Sequence, residues 1–294
     1  MTLLESVLTQ FFAPAEQAAI PLLVPPQQLL AANSVYQATS MAATILGFAL
    51  GDPILRLLRL ALERLGLQGG EFVLLPLCYG MAALVIAGIQ IEEPPRQVSV
   101  WQEIGEGIEV LRQRPSVRGA LLQLVLLYSL LAALYVLAIS LAATISGLGP
   151  TGFGTLLAMS GVGLAIGALT VAQLGDRFRR RVLASSGLGT IAFCLVLLGQ
   201  TRGYLVWTLA LCGLLGIGAA LLAIPAQTTI QEDTPEDQRG RVFGLQNNLI
   251  NIALSLPLAL AGTVVSRYGL LPVLWALAAI ALLAALSEQP WRLG

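Results

Sequence analysis

The sequence predicts an all-α, polytopic bundle of transmembrane helices, about nine of them, in two pseudo-symmetric groups. Three observations carry that expectation. Hydrophobic residues make up 56% of the 294-residue chain and charged residues 11%, with a mean hydropathy of +0.82, a surface that would aggregate in water. Stretches long enough to cross a hydrocarbon core of about 30 Å recur with few charges inside them. The chain also repeats itself at a spacing of about 210 residues. A membrane barrel is excluded, because runs such as 120–127 do not alternate apolar and polar residues.

Proline, glycine and charge clusters punctuate the apolar runs and set the expected spans. The first, 2–20, carries Glu5, Gln10 and Pro14, and lacks the basic start and small-residue cleavage site of a signal peptide. Spans at 33–55 and 72–91 follow. Glu92-Glu93-Pro94-Pro95 then breaks the chain, since paired prolines and charges cannot continue a membrane helix. Beyond it, 98–113 reads as an interfacial helix, with Trp101, Ile104, Ile108 and Leu111 on one face and Glu103, Glu106 and Glu109 elsewhere. Six further spans are expected at 119–145, 151–174, 182–201, 204–230, 242–266 and 270–287. The organisation is therefore a first helical half of three spans (1–91), a linker (92–118) and a six-helix second half (119–294).

Every basic residue is arginine, and formal charge balances at zero, so no nucleic-acid partner is expected. Arg96, Arg112, Arg114, Arg118, Arg177, Arg179, Arg180, Arg181, Arg239, Arg241 and Arg292 fall on one membrane face, against Arg56, Arg59, Arg64, Arg202 and Arg267 on the other, and the positive-inside rule assigns the richer face to the cytoplasm together with the linker and the C-terminus. Arg56, Arg59 and Arg64 run against that bias and suggest an amphipathic helix on the outer surface. Histidine is absent, which removes imidazole metal sites, Ser-His catalysis and histidine proton relays. Cys78, Cys194 and Cys212 lie in apolar runs at unrelated spacings and are expected to be buried free thiols. No cofactor, metal or catalytic residue is expected, and no enzyme.

The repeat relates 14–44 to 225–255. Pro14-Ala15 matches Pro225-Ala226, and Ile20, Pro25 and Gln28 match Ile230, Pro235 and Gln238. Asn33, Gln37, Ser40 and Thr44 then fall along one helical face, and Gly244, Asn248, Asn251 and Ser255 fall at the same steps. Matching polar stripes are expected to face a shared interior rather than lipid. If the halves are equivalent, the first span answers to the seventh, so the first half lacks three helices and the chain is expected to be N-terminally truncated.

Four passages carry a resemblance. Phe11-Phe12-Ala13-Pro14-Ala15 through Ile20-Pro21 and Leu29-Leu30-Ala31-Ala32-Asn33 is one, and 101–118, with Glu106-Gly107 and Pro115, is another. The others are Asp176-Arg177-Phe178-Arg179-Arg180-Arg181, and Pro235 through Arg239-Gly240-Arg241-Val242 and Gly244. Together they resemble helices four to twelve of the major facilitator superfamily, in its bacterial multidrug and siderophore exporter branch, which includes the enterobactin exporter. The resemblance implies a secondary active transporter of the plasma membrane. It would export a small amphipathic solute, a drug or siderophore, by alternating access and as an antiporter coupled to protons. A nontransporting scaffold, assembly subunit or sensor in the same lipid bilayer is the alternative.

Transporters of this type bind solute near the midplane, where polar groups line a cavity. The candidates are Gln37, Ser40 and Thr44 on the first half, and Gln123, Tyr128, Gln227, Asn247, Asn248 and Asn251 on the second. Their amides and hydroxyls suit a neutral solute, and equally suit interhelical hydrogen bonds. Glu5 is a carboxylate inside a candidate span, able to carry a coupling proton or merely to flank the membrane. The resemblance further implies a charge latch: Asp176 facing the chain near Asn33, and Arg177 or Arg181 meeting Glu232 or Asp233. Arg179 and Ala172 depart from the family's usual pattern there. Gly161, Gly163, Gly167, Gly213, Gly216 and Gly218 are expected to let helices approach closely.

Overall fold

A computed structural model describes residues 12, 15–63, 74–88, 109–145, 148–149, 152–200 and 204–288. All regular structure among them is helical. Helix α1 (15–23) leads through a 3-10 turn, Pro26–Gln28, into α2 (Leu29–Glu63), and α3 (Leu74–Ala87) follows. After a short helical segment, α4 (109–113), come α5 (Pro115–Ala143), α6 (Phe153–Leu174), α7 (Arg180–Leu198), α8 (Leu205–Asp233), α9 (Arg239–Tyr268) and α10 (Leu270–Glu288). Among the described residues six helices, α5 to α10, are long and apolar enough to cross a membrane. Glu5, most of the first expected span and residues 98–108 of the interfacial helix lie outside the described residues.

Helix limits follow backbone chemistry rather than hydropathy. The fourth expected span starts at 119, whereas α5 starts at Pro115, whose fixed φ suits a first helical position and whose missing N–H has no partner to lose there. The sixth and eighth spans likewise gain arginine-bearing turns at Arg180 and Arg239. Arginine stems can lie along apolar surface with the charge reaching headgroups, so hydropathy marks where the lipid core ends, not where the helix does. Helix α8 stops where Thr234 turns extended ahead of Pro235. Helix α9 stops at Gly269, which takes a φ of 83° and donates its N–H to the Val265 carbonyl at 2.8 Å. Helix α2 runs unbroken through Arg56 and Arg59, so these are not on a separate surface helix; Leu, Arg and Ala after Pro53 are good helix formers.

The chain separates into two compact units, Met1–Met41 with Val98–Gly294, and Ala42–Gln97. In the smaller unit Leu57, Leu60, Met81, Leu84 and Val85 are exposed, an apolar exterior suited to lipid. Cys78 is also exposed there, contrary to the expected burial, because α3 presents that side outward; Cys194 and Cys212 are buried.

In the larger unit α8 is the central helix, packed on α5, α6 and α7, with α9 against α5 and α10 against α7. Two-thirds of the α8 span is buried, against 11% of the α9 span. One core joins Leu127, Leu130, Leu188, Ile191, Leu195, Leu215, Leu222 and Leu274. A second brings Ala18 of α1 against Val117, Leu121, Leu124, Ile230 and Phe243, and a third sets Leu30 of α2 against Ala168, Val171, Ala220 and Ile224. Lipid tails are as apolar as these side chains, so what holds the bundle is close packing. A Cβ on Gly163 would collide with the Gly213 carbonyl, and one on Gly216 with the Ser160 carbonyl, which puts α6 and α8 in backbone contact. A Cβ on Gly187 would lie 2.6 Å from the Gly218 carbonyl, closing α7 on the other side of α8.

Candidate functional site

The repeated sequence builds the same turn twice. Pro25 (φ −66°, ψ 155°) and Pro235 (φ −56°, ψ 146°) each hold the chain extended and begin a 3-10 turn. The N–H of Gln28 bonds the Pro25 carbonyl, and that of Gln238 the Pro235 carbonyl, both at 2.9 Å. Helix α1 thus turns into α2 as α8 turns into α9.

The two hairpins meet through side-chain amides. Asn33, one turn into α2 and buried, has its Nδ2 within reach of the Leu29 carbonyl at 3.0 Å, Thr228 Oγ1 at 3.2 Å and Gln231 Oε1. Gln246 of α9, 1% exposed, donates from Nε2 to Gln17 Oε1 at 3.1 Å and to Gln227 Oε1 at 2.6 Å. Gln231 Nε2 also donates to the Gln17 main-chain carbonyl at 3.2 Å. The exchange is reciprocal: the outgoing helix of each hairpin donates to the incoming helix of the other. Buried carboxamides without these partners would carry a desolvation cost, so the bonds fix the rotation of four helices.

Beside this clasp lies a cavity of about 250 Å³. Gln17, Asn33, Tyr36, Gln37, Ser40 and Met41 line it from the first hairpin, and Leu124, Tyr128, Ala223, Ile224 and Gln227 from α5 and α8. Tyr36 Oη donates to Glu16 Oε2 at 3.0 Å. Amides, hydroxyls and apolar walls in one chamber suit a neutral or amphipathic molecule. No group of three or more His, Cys, Asp or Glu is placed to hold a metal among the described residues.

Charges gather at the hairpin end. Arg180 Nη2 reaches Glu232 Oε2 at 2.6 Å and Oε1 at 2.7 Å, with Nη1 3.3 Å from Thr229 Oγ1. Arg114 Nη1 donates to the Asp233 carbonyl at 2.7 Å. A Cβ on Gly175 would lie 2.7 Å from Leu30 Cδ2, so the loop after α6 abuts the start of α2.

Residues 1–256 match the Major Facilitator Superfamily. The chain belongs to that family. An uncharacterised MFS-type transporter of Bacillus subtilis, YfiS, is 26% identical over 271 residues, covering 90% of this chain and 64% of its own length. The chain therefore spans less than two-thirds of that relative. The E. coli fucose:proton symporter FucP, solved as a single-residue variant, shares the fold, with a TM-score of 0.69 at 17% identity, over 94% of this chain and 72% of its own. The family matched is one of multi-pass membrane transporters rather than of enzymes.

The expected cavity residues divide. Gln37, Ser40, Tyr128 and Gln227 line the cavity together. Gln123 lines a different pocket, because it lies on another face of α5 from Leu124 and Tyr128. Asn247, Asn248 and Asn251 of α9 line neither, and the Thr44 side chain lies outside the described residues, as does that of Asp176. The expected ion pair forms on a different arginine. Arg180 lies on the α7 stripe of Ala184, Gly187 and Ile191 that faces α8, whereas Arg177 and Arg181 are exposed and Glu232 is taken by Arg180. Asp233 contributes its main chain. Sequence reasoning passed over Gln17, Gln231 and Gln246; their signal was a run of uncharged amides at the two repeated turns.

Proposed function

We propose that the chain forms the solute-handling part of a secondary active exporter, moving small amphipathic solutes such as drugs or siderophores by alternating access. The observation that carries this reading is the mixed polar and apolar cavity flanked by two repeated hairpins that clasp each other at one end. Export, rather than uptake, rests on the sequence resemblance to the exporter branch. The arginine-rich end is the proposed cytoplasmic face, in a plasma membrane. Proton influx is the proposed drive, in keeping with a fold neighbour that is a proton symporter.

The test is movement of an amphipathic fluorescent dye in inverted membrane vesicles under an imposed proton gradient. Gradient-dependent dye accumulation above that of vesicles lacking the chain is expected, and Gln37→Ala or Tyr128→Ala should weaken it by about fivefold, one hydrogen bond's worth. Dye fluxes identical with and without the chain would overturn the proposal.

A further inference from the structure

A second pocket, of about 230 Å³, shares no lining residue with the first and opens on the opposite face of α8. Its mouth is formed by Pro115, Ser116, Arg180 and Arg181, at the arginine-rich ends of α5 and α7. Its inner wall is formed by Gly119, Ala120, Pro225 and Ala226, with Gln123 and Thr229. Gln123 stands eight residues into α5, about 12 Å along the helix, so the pocket runs from the headgroup layer into the hydrocarbon edge.

Its charge is unbalanced. Glu232 offsets Arg180 and fixes that guanidinium against Thr229, while Arg181 has no side-chain partner among the described residues. The pocket therefore holds one uncompensated cation at its mouth, a hydroxyl and a carboxamide able to donate, and a small-residue floor. A Cβ on Gly119 would meet nothing within 4 Å, so this wall is open space rather than packed core.

From these features we infer that the α5–α7–α8 pocket binds the phosphate headgroup of an anionic membrane phospholipid. Arg181 supplies the counter-charge, Ser116 and Gln123 the neutral donors, and the glycerol end lies on Gly119 and Ala120. The charge arrangement follows the rule that basic pockets between membrane helices at the inner leaflet hold anionic headgroups. Depth and the small apolar floor favour a lipid over free phosphate, which would leave the floor uncovered. The site is independent of the solute cavity and stands whether or not the chain transports.

The experiment is native mass spectrometry of the full chain, released from nanodiscs holding equal parts phosphatidylglycerol and phosphatidylcholine. The chain should retain one phosphatidylglycerol in preference to phosphatidylcholine. Arg181→Gln should lower that retention by about fivefold, the contribution of one arginine beside an anionic lipid. Gly119→Phe, which fills the pocket without altering charge, should abolish it, and Arg179→Gln, an exposed neighbour outside the lining, should leave it unchanged. Circular dichroism and elution volume establish that each variant is folded, and Arg181→Gln carries the test if Gly119→Phe fails to fold. Equal retention by the parent chain and Arg181→Gln, equal retention of the two lipids, or full displacement by inorganic phosphate would each overturn the inference.

Discussion

Gln246 ties both hairpins together from a single buried amide. Its amide nitrogen serves two oxygens, while its own Oε1 is buried without a partner among the described residues. Gln246→Met keeps the shape and removes the donor, leaving Gln17 and Gln227 oxygens under-served; unfolding in mixed detergent should show a loss of about 1 kcal/mol. A double-mutant cycle on Asn33→Ala and Gln231→Ala should give a coupling of about 0.6 to 2 kcal/mol, and a coupling near zero would remove the bond from the account. The Arg180–Glu232 pair is part-exposed, at 36% and 23%, so Glu232→Gln should cost at most about 1 kcal/mol. Glu16, bonded to Tyr36 beside the cavity, is the carboxylate on which the proposed proton coupling is tested. If it serves that flux, Glu16→Gln should leave dye binding in place and uncouple dye movement from the proton gradient, read in the same vesicles. That Arg180 rather than Arg181 would find Glu232 was not legible beforehand: one residue along a helix is a rotation of about 100°, and span limits read from hydropathy are uncertain by more than that.

At the level of elements, backbone contact between α6 and α8 is the sharpest demand the fold makes on the sequence. Gly163→Val must push a side chain into the Gly213 carbonyl and should lower the midpoint of thermal unfolding steeply, by at least about 2 kcal/mol of stability. Gly189→Val is the comparison: nothing lies within 4 Å of its Cβ, so its midpoint should barely move. Equal effects would mean that the two helices do not touch as described. Much of this layer could be read in advance. The spaced glycines marked the close approach, the apolar runs marked α5 to α10, and Pro25 and Pro235 marked two turns that share one geometry. Helix rotation was not readable, because a helix surrounded by apolar neighbours and lipid shows little polar contrast between its sides. Hence Gln37, Ser40, Tyr128 and Gln227 line one cavity together, whereas Gln123 lines another pocket and the α9 asparagines line neither of these two.

Across the whole molecule, the clasp makes the proposed alternating access a question of whether two hairpins can part. Asn33→Cys with Thr228→Cys, in a Cys78→Ser background, should be joined by a short bifunctional thiol reagent, since the Asn33 Nδ2 and Thr228 Oγ1 that they replace lie 3.2 Å apart and each Sγ sits within one bond of them. Joining them should stop gradient-dependent dye movement, and the untreated variant should retain it. Unimpeded movement through the joined protein would show that the hairpins need not separate. Partnership among helices at this scale was not legible, because the amides that converge are some 200 positions apart and no local pattern states which of many will meet.

The groups that join the hairpins, from Gln17, Asn33, Gln227, Thr228, Gln231 and Gln246, are carboxamides, one hydroxyl and the Gln17 main-chain carbonyl. Such groups neither gain nor lose a proton in the range a cell meets, and they carry no net charge for salt to screen. The seam is therefore equally firm in acid and in alkali. An electrochemical gradient has no direct purchase on it, so in the proposed transport cycle loosening it would fall to a solute that can offer the same N–H and C=O groups a substitute.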